Sequence, residues 1–222
     1  MTQPILYDYH RSSACYRVRI ALNLKGVAYT AVPVNLLDGE QKADDYRARN
    51  PQGFVPLLEA DGLQLTQSLA IIDWLEARHP EPPLLPRDAG DRAHVLAMAL
   101  AVACDIHPLN NLRVLKYLSG PLGLPQEARD AWYRHWVAEG LAALEAMAAR
   151  GAAGRFLFGD APTLADLCLV PQMYNARRFD VPLDACPNLV RADAEANRLE
   201  AFAAAHPDRV AIPPRNGEGD QP

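Results

Sequence analysis

The sequence predicts two domains of different class, an α/β domain followed by an all-α domain. Three observations carry this. Strand-like and helix-like segments alternate through the first third; a proline-rich break, "PEPPLLPRDAG", follows at 80–90; beyond it strand signals stop and alanine becomes frequent. The boundaries expected from these features are an α/β domain over 1–83, a linker over 84–90, a helical domain over 91–210 and a disordered tail over 211–222.

The elements follow in order. "ILYDY" reads as a short strand, and "HRSS" as a turn leading into a helix from Cys15 to Lys25, with Gly26 placed to end it. "YTAVPVNL" reads as a second strand, and Pro33, which cannot donate to a ladder, favours an edge position. "ADDYRAR" suits a short helix stopped by "NPQG". "VPLLEA" and "LQLTQ" flank Asp61-Gly62, the dipeptide of a tight hairpin turn. "SLAIIDWLEARH" reads as a helix with Ser68 as its N-cap.

In the second half, "DRAHVLAMALAVACDIHPLNNLRVLKYL" is helical in pattern, with a bend expected near Pro108. Trp132, Trp136, Gly140 and Leu144, beside Val137, Leu141 and Met147, predict one buried stripe on the next helix. Thr163 and Asp166 have the spacing of a capping box, with Asp in place of Glu. "LVRADAEANRLEAFAAA" reads as a final amphipathic stretch.

Composition narrows the function classes. The 222 residues are 50% hydrophobic and 22% charged, a globular balance, and the net charge of −5 argues against a nucleic-acid partner. Uninterrupted apolar stretches such as "LAMALAVAC" fall short of the roughly 20 residues a membrane span needs. "MTQPILYDYH" has no basic region ahead of an apolar core, so no secretory leader is expected. Cys15, Cys104, Cys168 and Cys186 form no CxxC pair; neither a metal site nor a disulfide framework is expected, and a reducing cytoplasm is the expected location.

The segments "RSSACYRVRIALNLKG", "NPQGFVPLLEADG", "TQSLAIIDWLE", "DIHPLNNLRVLKYL", "GDAPTLADLCLVPQ" and "NARRFDV", in this order and spacing, resemble the zeta class of glutathione transferases. The similarity runs from about Ile5 to about Pro207. That class includes maleylacetoacetate isomerases and glutathione-dependent maleylpyruvate isomerases. The resemblance implies a thioredoxin-like N-terminal domain, an α-helical C-terminal domain, a homodimer, glutathione as cofactor and a small dicarboxylic keto acid as substrate.

It also implies site residues. Gln67 and Ser68 hold the γ-glutamyl carboxylate of glutathione, at a helix start whose free N–H groups and dipole favour an anion. Val55, before a cis Pro56, pairs through its backbone with the cysteinyl part, and Gln41 is a further contact. His107, Asn111, Leu112 and Arg113 match glutathione-contact positions; Arg11, Arg113 and Arg178 match a substrate pocket suited to gripping carboxylates. Ser12 and Ser13 are the candidates for steadying the thiolate, with Ala14, Cys15, Tyr16 and Arg17 beside glutathione and Arg19 assigned to the fold.

One departure matters. Zeta enzymes show Ser-Ser-Cys where this chain has Ser12-Ser13-Ala14, with the cysteine one place later. One residue along a helix rotates a side chain by about 100°. Cys15 is then either a thiol that forms mixed disulfides or a small packing residue, the working sulfur belonging to glutathione. Free cysteines are commonly buried packing residues, which favours the second. Rival functions are a broad transferase acting on α-halo acids and a non-catalytic glutathione-binding scaffold.

Overall fold

The computed structural model describes residues 3–152 and 154–210; the expected tail at 211–222 lies outside them. The described residues divide into two compact units, one comprising 3–82 together with 200–210, the other lying within Pro83–Leu199.

The first unit is built on a four-stranded sheet: β1 (Ile5–Asp8), β2 (Thr30–Pro33), β3 (Leu57–Ala60) and β4 (Leu63–Thr66), in the order β2-β1-β3-β4. β1 runs parallel to β2, pairing Leu6 with Ala31, and antiparallel to β3, pairing Leu6 with Leu58. This is the thioredoxin-like arrangement. β2 takes the edge, where the missing N–H of Pro33 breaks no interior ladder. The β3–β4 hairpin turns on Asp61 (φ 50°) and Gly62 (φ 78°), both in the left-handed region that the tight turn demands.

Helix α1 (Ser13–Leu24) follows β1, and α3 (Ser68–Arg78) follows β4; between them the short α2 spans Asp44–Arg49. α1 and α3 pack on each other, and Val18, Ile20, Ala21 and Leu22 of the one and Ile71, Ile72 and Leu75 of the other are buried. Gly26 (φ 63°) ends α1: its N–H donates to the Asn23 carbonyl and that of Val27 to the Leu22 carbonyl, so two terminal acceptors are satisfied.

The second unit is helical: α4 (Ala89–Leu100), α5 (Leu112–Ser119), α6 (Gln126–Ala148), α7 (Leu164–Arg178) and α8 (Pro187–Asn197). Between α4 and α5 the chain widens into a π-helical turn at Ala101–Ile106, then tightens into a 3₁₀ turn at His107–Asn110. Pro108 has no N–H to continue the α ladder, and the bend begins seven residues ahead of it, at Ala101. Counted through these turns, Ala89–Ser119 contains an 18-residue window of mean hydropathy 1.4 and is, by length and composition alone, long enough to cross a membrane. Its uninterrupted apolar stretches are shorter, because residues such as Asp105 and His107 break them.

The buried stripe of α6 also differs from expectation. Tyr133, Val137, Leu141 and Leu144 are buried, whereas Trp132 and Trp136 lie half-buried beside them, ring against edge at 5.6 Å. An indole N–H needs a partner, and Trp132 Nε1 finds the Leu109 carbonyl at 3.0 Å on the neighbouring turn. Gly140 stays on the inner side because a Cβ there would stand 2.2 Å from Ile106 Cγ1. Asp166 starts α7 as expected, accepting from the Thr163 backbone and hydroxyl and from the Leu157 N–H.

The final amphipathic stretch is two helices. α9 (Glu200–Ala204) leaves α8 and belongs to the first unit, where Arg19 Nε donates to the Ala205 carbonyl and Asn23 Nδ2 to that of Ala201.

Candidate active site

The first unit gathers most of the expected residues around the starts of α1 and α3. Ser12 caps α1: its backbone is extended (φ −73°, ψ 118°), and its Oγ accepts the Cys15 N–H at 3.2 Å. Accepting there leaves the hydroxyl proton to be donated, and Ser12 is half-buried at the mouth of the helix. Ser13 is the first helical residue and is buried; Ala14 beside it is half-buried.

Cys15 is wholly buried, in a cluster with Tyr9, Val34, Tyr46, Val55 and Leu57. Burial, followed by the nearby charge of Asp8, pushes its thiol well above the usual cysteine range, outweighing Arg19 and the Ser12 hydroxyl, which pull the other way. A thiol so placed is neither ionised nor accessible near neutral pH. Tyr16 is also buried, its ring set edge-on to His206.

At α3 the N-cap is Gln67 rather than Ser68. Gln67 has φ 67° and ψ 114°, a region that costs a non-glycine residue roughly 1–3 kcal/mol. This kink makes Ser68 the first helical residue, buried, where its Oγ accepts from Arg17 Nη1 at 3.3 Å. The exposed side chain of Gln67 donates to Gln52 Oε1 at 2.8 Å.

The Val55–Pro56 bond is cis, and both residues stand ahead of the β3 ladder, which begins at Leu57. Two residues that the sequence reading did not single out hold this loop: Tyr46 Oη and Asn50 Nδ2 both donate to the Phe54 carbonyl, at 2.6 and 2.8 Å. Asn50 Oδ1 also accepts the Gln52 N–H, an Asx turn for which the "NPQG" stretch was the available signal. Gln41 is buried and its Oε1 has no partner among the described residues, so the site presents a buried acceptor suited to a peptide N–H. Its backbone carbonyl would lie 2.9 Å from a Cβ at position 53, where Gly53 has φ 62°.

The remaining candidates divide between the units. Arg11 is exposed, one residue ahead of Ser12. In the second unit His107 opens the 3₁₀ turn, and Asn111 caps α5 through Oδ1, which accepts the Arg113 N–H at 3.1 Å. Leu112 is half-buried and Arg113 exposed. At the end of α7 the two arginines part: Arg177 pairs with Asp193 at 2.6 Å, while exposed Arg178 lies against the rings of Tyr174 and Phe179. Among the described residues no group of three or more His, Cys, Asp or Glu side chains could hold a metal ion.

Residues 6–83 match the glutathione S-transferase N-terminal domain family, and residues 130–205 the C-terminal domain family. The maleylacetoacetate isomerase of Rhizobium meliloti strain 1021 is 53% identical over 208 residues, covering 94% of this chain and 98% of that protein. Among solved structures, the holo form of a bacterial maleyl pyruvate isomerase of the zeta class superposes with TM-score 0.91 at 46% identity, over 93% of this chain and 98% of that one. The maleylacetoacetate isomerase of Anaeromyxobacter dehalogenans 2CP-1, with glutathione bound in its active site, superposes with TM-score 0.85 at 49% identity, over 94% and 96%.

Proposed function

The chain belongs to the zeta class of the glutathione S-transferases, and from that premise we propose that it is a glutathione-dependent cis–trans isomerase of maleyl 2,4-diketo acids, maleylacetoacetate or maleylpyruvate, in aromatic catabolism. The observation that carries this reading is Cys15 wholly buried beside a half-buried Ser12 at the mouth of α1. The chain has no usable thiol of its own there, and it holds a hydroxyl ready for another molecule's sulfur.

Bound glutathione supplies a thiolate that adds reversibly to the cis double bond and so permits rotation. Ser12 donates its hydroxyl to that sulfur at the positive end of α1; Ser13 lines the same turn with Ala14, Tyr16 and Arg17. Lowering a thiol pKa of about 8.5 by two units takes roughly 2.7 kcal/mol of preferential anion stabilisation, within reach of one charge-assisted hydrogen bond and a helix dipole. Gln67 and Ser68 hold the γ-glutamyl carboxylate. Val55 and Pro56 present the backbone to the cysteinyl part, and Gln41 accepts a peptide N–H.

His107, Asn111, Leu112 and Arg113 complete the glutathione contacts. Arg11, Arg113 and Arg178 take the substrate carboxylates; guanidinium groups suit such a substrate because it carries an anion at each end. The reading includes a homodimer in the cytoplasm, where the four cysteines stay reduced, and neither a membrane nor a nucleic-acid partner.

The test follows loss of the maleyl chromophore with and without glutathione, comparing kcat/KM on maleylacetoacetate and maleylpyruvate. Isomerisation of either at full rate without glutathione would overturn the reading.

A further inference from the structure

Two arginines stand two residues apart on α1, both all but wholly buried, Arg17 at 2% and Arg19 at 1% exposure. Arg19 is fully provided for: Nη1 donates to Asp8 Oδ1 at 2.7 Å, Nη2 to the His10 carbonyl and Nε to the Ala205 carbonyl, each at 3.0 Å. Arg17 is not. Its Nη1 donates to Ser68 Oγ at 3.3 Å, while Nε and Nη2 have no partner among the described residues. A guanidinium stays charged at any pH a protein meets, and a buried charge served by one neutral hydroxyl is costly.

We propose that Arg17 is a positioning residue for glutathione: acting through Ser68, its buried guanidinium is the countercharge of the γ-glutamyl α-carboxylate at the start of α3. The proposal rests on the reading above that this carboxylate sits at Gln67 and Ser68. The chemistry is specific about sign. Because Ser68 Oγ accepts from Arg17, its own proton remains to be donated, and a carboxylate is an acceptor only. The free N–H groups at the start of an 11-residue helix point to the same spot and favour the same charge. The strained φ of Gln67 is what places Ser68, rather than its neighbour, at the first helical position facing Arg17.

The test is calorimetric titration of the full chain with glutathione and with γ-aminobutyryl-cysteinylglycine, which is glutathione lacking that one carboxylate. Arg17→Met should weaken glutathione binding by about 10- to 100-fold and binding of the decarboxylated peptide by less than about 2-fold. Arg17→Lys, which keeps the charge, should recover most of the loss. Ser68→Ala should reduce discrimination between the two peptides, and adding Arg17→Met to it should cost much less than Arg17→Met alone. Since the ligand-free chain gains little from this charge, Arg17→Met should leave its melting temperature unchanged or higher.

Equal losses for the two peptides, no loss for glutathione, or an Arg17→Met chain that melts lower or fails to fold would each overturn the proposal and make Arg17 a structural residue. Wild-type chain that shows this binding pattern but isomerises neither maleyl acid would overturn the isomerase reading alone.

Discussion

Arg19 Nη1 lies 2.7 Å from Asp8 Oδ1, joining α1 to β1 through side chains that are 1% and 4% exposed. The same guanidinium reaches the Ala205 carbonyl just beyond α9, so one ion pair ties the sheet, the first helix and the end of the described chain together. Removing one partner of a buried pair strands the other, at about 3–5 kcal/mol. Arg19→Met and Asp8→Ala should each lower the urea midpoint by an amount corresponding to that loss. The double variant should cost clearly less than their sum. Additive losses would mean that the two side chains do not depend on each other.

Cys15 packs in a cluster with Tyr9, Val34, Tyr46, Val55 and Leu57. With the thiol wholly buried and its ionisation opposed by burial and by Asp8, the side chain takes no part in chemistry at neutral pH. Cys15→Ala should keep kcat/KM within about 2-fold while costing about 1 kcal/mol of stability from the small cavity it leaves. Iodoacetamide should modify exposed Cys104 in the folded chain and spare Cys15, read by peptide mass. Rapid alkylation of Cys15 with loss of activity would restore the reading of Cys15 as a thiol that forms mixed disulfides.

Asp166 gives a pH signature. Burial pushes its carboxyl up to about 6, past the lowering effect of the hydrogen bonds it accepts from Leu157 and Thr163. A carboxyl raised on folding stabilises the fold when protonated; that contribution is complete below about pH 4 and is lost as pH rises through about 6. The shift from 3.8 corresponds to about 3 kcal/mol. Asp166→Asn cannot titrate, so the stability of the wild type relative to this variant should shrink by about that amount between pH 4 and pH 6.5. Denaturant unfolding at a series of pH values measures it, and a constant difference would contradict the assignment.

Gly140 probes the packing of the helical unit. A methyl group there would meet Ile106 at 2.2 Å, and Ile106 is buried at the end of the π-helical turn. Gly140→Ala should therefore destabilise by about 1–3 kcal/mol despite the better helix propensity of alanine, and combining it with Ile106→Ala, which removes both clashing atoms, should cost less than the sum of the two single losses. A more stable Gly140→Ala chain would show that the turn yields easily.

Local chemistry was the legible part of this sequence. Pro33 called for a sheet edge, Asp61-Gly62 for a tight hairpin and Thr163 with Asp166 for a helix start, because each depends on groups within a few residues. What depends on distant packing was not legible. An amphipathic pattern says that one face of 200–204 is buried, but not that it is buried on α1 rather than beside α8. Ser68 looked like a helix cap because serine commonly is one; the strained backbone of Gln67, held by its tertiary surroundings, moves the cap back one residue. Arg17 and Arg19 look alike on paper, and only the positions of Asp8, His10 and Ala205 separate a satisfied guanidinium from an unsatisfied one.

The central claim is that the working sulfur is glutathione's, held as an anion by Ser12. The most direct measurement is the thiolate absorbance of bound glutathione as a function of pH, in the wild type and in Ser12→Ala. The account predicts an apparent pKa about two units below the free thiol in the wild type and a return towards about 8.5 in the variant, with kcat falling in step. A bound thiol that titrates alike in both proteins would contradict it.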